Sequence, residues 1–203
     1  MTKQPKIWCR KGQAEKVEPV LKSWQKVLAT YEREVSEEKG YPYSERAYVS
    51  LLAAAIWTLK GRNVAIEEYI ARRRNNSGRV DLWFQLAETG YLVEAKRIKR
   101  RFQGKQLLEF LDSFLNEAIE QLSNLDKSET INQKKEPYKK LAIAFVIPTL
   151  DDNAFELFLK ELSEIKNAAR LDFIAPYRRN PTLLKRKGDN TQNRGLALVG
   201  RFS

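Results

Sequence analysis

Three charged side chains stand inside segments that otherwise have the character of buried strands: Asp81 in "RVDLWFQLA", and Glu94 and Lys96 in "GYLVEAKRI". Burying a charge is costly unless it is paired or bound to a metal. Glu94 and Lys96 are two residues apart, so on a strand they project to the same side. The two segments are joined at "ETG", a hairpin signal. A turn centred near Thr89 brings Asp81 within a few residues of Glu94 across the ladder. Two carboxylates that close repel each other unless a cation sits between them. A hard divalent ion such as Mg²⁺ is held by one or two carboxylates together with waters and phosphate oxygens. A lysine beside it can orient or deprotonate a water, or neutralise charge as a phosphodiester is attacked.

Composition narrows the chemistry. The chain has no histidine, which removes Ser-His-Asp triads, His-metal nucleases and HExxH proteases. A lone cysteine, Cys9, excludes an internal disulfide and a cysteine-rich zinc site. The formal charge of +11 favours a polyanionic partner, of which nucleic acid is the commonest. An anionic membrane surface is the rival. No stretch approaches the roughly 20 apolar residues of a membrane span, and no strongly basic amphipathic helix or lipid anchor is evident. The stretch "MTKQPKIWCRKGQ" lacks an apolar signal core, so a cytoplasmic protein is expected.

The elements that would position these residues follow from periodicity. Residues 16–39 carry apolar side chains at helical spacing, with Pro19 in the first turn and a Gly/Pro stop in "EEKGYPY". A second helix begins near Ser44, a plausible N-cap, and runs through "SERAYVSLLAAAIWTLKG". "NVAIEEYIA" reads as a strand, "RRRNNSG" as a basic loop, and the two hairpin strands follow. Residues 104–125 form an amphipathic helix and 126–139 a polar loop. "LAIAFVI" is apolar throughout, as in a strand buried on both faces. "NAFELFLKELSEIKNA" is a helix; "LDFIA" and "GLALVG" are strands flanking a basic loop over 176–194. The order predicts an α/β fold with a mixed sheet, an antiparallel meander followed by crossover helices. The length of 203 residues suits one domain.

Asp81, a hairpin, then Glu94-Ala95-Lys96 resembles the PD-(D/E)xK nuclease superfamily, the restriction-endonuclease-like fold. "GRVD" stands where many members have a Pro-Asp or Gly-Arg-x-Asp element, with Val80 in the place of the proline. The superfamily core is helix, three-strand meander, helix, strand, which matches residues 44–150 in order. The resemblance implies a single nuclease-like domain over 1–203, with 44–150 the catalytic core and 1–40 an N-terminal helical extension. It implies metal-dependent hydrolysis of phosphodiester bonds, most readily in DNA, with Mg²⁺ held by Asp81, Glu94 and the carbonyl of Ala95, and Mn²⁺ able to substitute. Lys96 would hold the attacking water. Many members act as homodimers, although no residue here marks an interface. In several branches a glutamate on the first core helix approaches the metal. Glu45 is similar: it lies four and seven positions before Val49 and Leu52, on the apolar side. Some members carry a glutamine on the helix after the meander, and Gln121 stands at such a position.

Each reading has a plainer rival. Asp81 and Lys96 could form an exposed ion pair of almost no energetic worth. Glu45 also suits a helix N-terminus, and Gln121 the boundary of a buried face. Glu67 and Glu68 would lie on opposite faces of their strand, at a solvated edge. The basic runs Arg72, Arg73, Arg74 and Lys99, Arg100, Arg101 flank the site in sequence and are candidate phosphate contacts; "YRR" (177–179) and "KRK" (185–187) are weaker ones. Trp83 and Tyr91 suit packing better than base stacking. The alternative function is a nucleic-acid-binding protein on the same fold without catalysis. On either reading, binding of nucleic acid in the absence of divalent ions should fall steeply as salt rises, because each neutralised phosphate releases counterions. Titrations of a labelled duplex at low and at physiological salt check this, and equal affinities would contradict it.

Overall fold

Seven strands form one mixed sheet in the order β1-β6-β7-β5-β4-β3-β2. The strands are β1 (Trp8–Cys9), β2 (Asn63–Arg73), β3 (Asn76–Leu86), β4 (Thr89–Arg100), β5 (Lys139–Pro148), β6 (Phe173–Arg178) and β7 (Gly195–Phe202). The helices are α1 (Gln13–Val35), α2 (Glu45–Trp57), α3 (Gln106–Ser123) and α4 (Ala154–Ile165). The structure, a computed structural model, describes residues 3–35, 44–61, 63–73, 76–100, 106–125, 138–148, 154–179 and 195–203, and for 35, 70–73, 76–78, 100 and 154 the backbone alone.

The sheet is covered on both faces. Leu82, Phe84, Val93, Ala95, Ile143 and Phe145 pack under α1 and α2. Ile98, Ala142, Ala144 and Val146 pack under α3 and α4. β5 lies between β4 and β7 and feeds both layers, which explains its unbroken apolar run. β4 and β5 are parallel, as their connection through α3 requires, while the neighbouring pairs are antiparallel.

Several boundaries differ from the sequence expectation. α1 begins at Gln13, so Pro19 sits inside the helix rather than in its first turn. The expected loop at 72–78 is instead the end of a hairpin: Arg72 pairs with Ser77 and Arg73 with Asn76. Local polarity suggested a loop, but cross-strand pairing extends both strands. β6 runs on through Pro176 to Arg178, and β1 pairs with it. Ser44 caps α2 as expected: its backbone is extended and its hydroxyl accepts from the Ala47 N–H at 3.1 Å.

α1 is fastened to the sheet by a buried charge. Glu32 is 3% exposed, accepts from the Tyr177 hydroxyl at 2.8 Å, and pairs with Arg179 Nε at 2.9 Å. Burial and the adjacent Glu32 carboxylate push the Tyr177 hydroxyl far above the ordinary phenol range. The "YRR" run therefore includes a structural cation, Arg179, rather than a phosphate contact; Arg178 pairs with Glu156. Glu32→Ala would leave the buried guanidinium without its counter-charge. It should lower unfolding stability by about 3 kcal/mol, the scale for breaking a buried ion pair. Denaturant titration checks this, and a loss near zero would contradict it.

Candidate active site

The site arises where two strands part. The ladder between β3 and β4 runs from Leu86↔Thr89 to Leu82↔Val93, and no further pair joins them among the described residues. The hairpin turns at Ala87 and Glu88, with Ala87 at φ 51°, the left-handed conformation such turns use. Continuing this register one step sets Asp81 directly opposite Glu94, slightly closer than a turn at Thr89 would give. Beyond Val93, β4 continues on β5, from Glu94↔Ala142 to Arg100↔Pro148. β3 continues on β2 instead, from Tyr69↔Val80 to Arg73↔Asn76.

The fork leaves backbone donors of β4 that no strand covers among the described residues, and carboxylates turn toward them. Asp81 Oδ2 accepts from the Ala95 N–H at 2.7 Å. The Glu45 carboxylate, from the first residue of α2, lies toward the Arg97 backbone N–H, which favours its charged form. Residues 95 and 97 are two apart, so both N–H groups point to the side β3 has left. Burial raises the Glu45 carboxyl above the usual carboxylate range. The charge of Asp81 raises it further, and Lys96 and the Arg97 N–H oppose the rise. Asp81, Glu45 and Lys96 therefore share one electrostatic patch.

Glu94 and Lys96 project to the α3 side of β4. Glu94 is 6% exposed, a charged residue within the sheet. Its neighbour on β5 is Ala142 and that of Lys96 is Ala144, small side chains beside two long ones. Lys96 Nζ reaches α3, where it donates to Gln121 Oε1 at 2.9 Å and pairs with Glu117 Oε1 at 2.9 Å. Gln121 Nε2 also approaches Glu117 Oε1, at 3.5 Å. Glu117 is one helical turn before Gln121, so the two flank the amine from one face of α3. Sequence reasoning missed Glu117, because a glutamate in "NEAIEQ" is indistinguishable from a solvated helix position until the facing strand is known.

The other residues singled out in the sequence sort by location. Tyr91 is buried and stacks on Phe84 at 4.5 Å between centroids. Trp83 lies between Tyr69 and Tyr138, at 5.8 and 6.3 Å. Both are packing residues. Lys99 is exposed on β4. Arg72, Arg73 and Arg100 lie in strands and are described by their backbone alone; Arg74, Arg101 and 185–187 lie outside the described residues. Glu67 and Glu68 are partnered. Glu67 accepts from Ser50 Oγ at 2.5 Å, and Glu68 pairs with Arg46 and with Arg79.

No protein-family model, curated protein or solved structure matches this chain. The chemistry must therefore be argued from the donors themselves. Asp81, Glu94, Glu45 and the Ala95 carbonyl are hard oxygens, and Asp81 raises the Glu45 carboxyl, a repulsion that a cation would relieve. Among the described residues no group of three or more Asp, Glu, Cys or His side chains is gathered closely enough to hold an ion alone. The donor types are those that a partly hydrated Mg²⁺-type ion uses, since it keeps waters and takes only one or two carboxylates.

The raised Glu45 carboxyl has a consequence for stability. The folded state favours its protonated form, so the stabilisation is complete at low pH and is lost as pH rises through the folded value. Glu45→Gln keeps an acceptor for the Arg97 N–H and removes the charge. It should melt higher than the parent by on the order of a few degrees at pH 7–8, with the difference closing toward pH 4. Thermal melts across this range check it, and a variant that melts lower at pH 8 would contradict it.

Proposed function

We propose that this chain is a metal-dependent nuclease that hydrolyses phosphodiester bonds in nucleic acid, most readily DNA. The observation that carries the reading is the bond from the Ala95 N–H to Asp81, which joins the aspartate of one strand to the Glu94-Ala95-Lys96 triplet of the next. The element order α2, β2, β3, β4, α3, β5 agrees with the helix, meander, helix, strand order of the PD-(D/E)xK superfamily. The +11 charge suits a polyanionic substrate.

On this reading Asp81, Glu94 and the Ala95 carbonyl would hold a Mg²⁺ or Mn²⁺ ion. When bound, such an ion polarises a phosphoryl oxygen and acidifies a water. The chain's own residues do the rest. Lys96 donates to the attacking water or to a non-bridging phosphate oxygen and offsets charge that builds there. Glu45 accepts a proton from the water or orients it through its remaining lone pairs. Gln121 and Glu117 fix the amine's direction. A second reading, binding without catalysis, draws on one observation: Lys96 Nζ is already engaged by Glu117 and Gln121.

Incubation of plasmid, linear duplex and single strands with Mg²⁺, Mn²⁺ or EDTA separates the two. Cleavage should require a divalent ion. Asp81→Asn and Glu94→Gln should each lower it at least about a hundredfold and abolish cation-induced thermal stabilisation. Lys96→Ala should lose cleavage and keep that stabilisation. Cleavage undiminished in excess EDTA, or Lys96→Ala cutting at the parent rate, would overturn the mechanism. Binding with no cleavage under any metal would favour the second reading.

A further inference from the structure

A basic cluster stands beside the fork, apart from the residues assigned to the metal. Glu68 holds two arginines from different elements: Arg46, next to Glu45 on α2, and Arg79, two residues before Asp81 on β3, at 2.8 Å. Glu68 is a non-glycine residue at φ 51°, a conformation that L side chains seldom adopt. It occupies the register step that faces Asp81, bracketed by Glu67↔Leu82 and Tyr69↔Val80. The strained backbone and the convergence of the two arginines therefore coincide with the fork of the candidate site. Both arginines are largely exposed, 69% for Arg46 and 62% for Arg79. Two guanidinium groups carry about ten N–H donors between them, while one carboxylate offers about four lone-pair sites. A planar, forked donor set of this kind suits phosphate oxygens.

We infer that Arg46 and Arg79, gathered by Glu68, form a phosphate subsite that grips the nucleic-acid backbone on the α2 side of the fork, beside the scissile position. The inference rests on the nuclease reading for its substrate class, but not on cleavage. Glu68 acts as a positioning residue: it aligns the two guanidinium groups before substrate arrives and so reduces the ordering that binding requires. The subsite carries no base discrimination, because it touches phosphate alone.

The test is metal-free binding of a fluorescein-labelled DNA duplex, followed by anisotropy in EDTA across a salt series. Arg46→Ala/Arg79→Ala should flatten the slope of log affinity against log salt by about 2, roughly one for each phosphate no longer neutralised. Extrapolated from 1 M to 0.1 M salt, that is a loss of about a hundredfold. Each single variant should give about half the change in slope. Lys22→Ala/Lys160→Ala on α1 and α4 removes the same charge from other exposed positions, and should leave the slope near that of the parent. Melting curves verify that all variants fold; these exposed positions make folding loss avoidable, and Arg46→Gln/Arg79→Gln repeats the test with longer side chains. An unchanged slope in the arginine double variant would overturn the subsite alone. Equal flattening in the lysine control would overturn it in favour of a diffuse basic field. A parent protein that binds no duplex or single strand at low salt would remove the nuclease reading and the subsite together.

Discussion

The candidate site depends on a backbone accounting problem at the fork of the sheet. When β3 leaves β4 after Leu82, the N–H groups of Ala95 and Arg97 lose the carbonyls that a continued ladder would supply. Buried backbone donors are seldom left unmet. Asp81 accepts from the first, and the Glu45 carboxylate lies toward the second. The same groups that repair the sheet therefore gather negative charge along one edge of β4. The fork sets both the shape and the charge of the site.

The rest of the fold keeps that fork open. β4 cannot follow β3, because β5 holds it in parallel register on its other side as far as Arg100. β3 cannot follow β4, because β2 pairs with it as far as Asn76. α2 is pinned by Val49, Leu52 and Ile56 in the core, so its first residue, Glu45, is delivered to the gap. α3 is seated through Leu111, Leu115, Ala118 and Leu122, which presents Glu117 and Gln121 to the Lys96 amine. Small residues at 142 and 144 leave volume beside Glu94 and Lys96. A bulkier residue there would meet two long side chains in a closely packed layer, where added volume is poorly tolerated.

Much of this was legible in the sequence, and the failures share a cause. The helix of residues 45–57 announces itself through Ser44 and a run of apolar spacing, and the same spacing assigns Glu45 to the inner side. Strand alternation alone sets Glu94 and Lys96 together, and the hairpin brings Asp81 to them. What stayed hidden depends on partners distant in the chain. β1 is two residues long and exists through pairing with β6, in the last third of the chain. "RRRNNSG" has loop composition and yet is largely strand, because each strand supplies the other's hydrogen bonds. Glu117, Arg46 and Arg79 look like ordinary surface charges until the fold sets each beside its counterpart. Arg179 shows the opposite error: a residue in a basic run, read as surface, is buried on Glu32.

The divergence of β3 also divides the sheet mechanically. From Arg79 outward, the β2–β3 hairpin is a two-stranded ribbon, paired on one side only and anchored through Val80, Leu82 and Phe84. Two-stranded ribbons are marginal on their own in water, whereas residues 141–147 are enclosed by strands and helices on every side. Opening free energy follows such differences in local burial and pairing. The two arms of the fork therefore belong to different dynamic classes. Backbone amides of β3 beyond Val80 should therefore exchange hydrogen faster than those of β5. β4 and β5 thereby hold Glu94 in register independently of the pairing between β2 and β3.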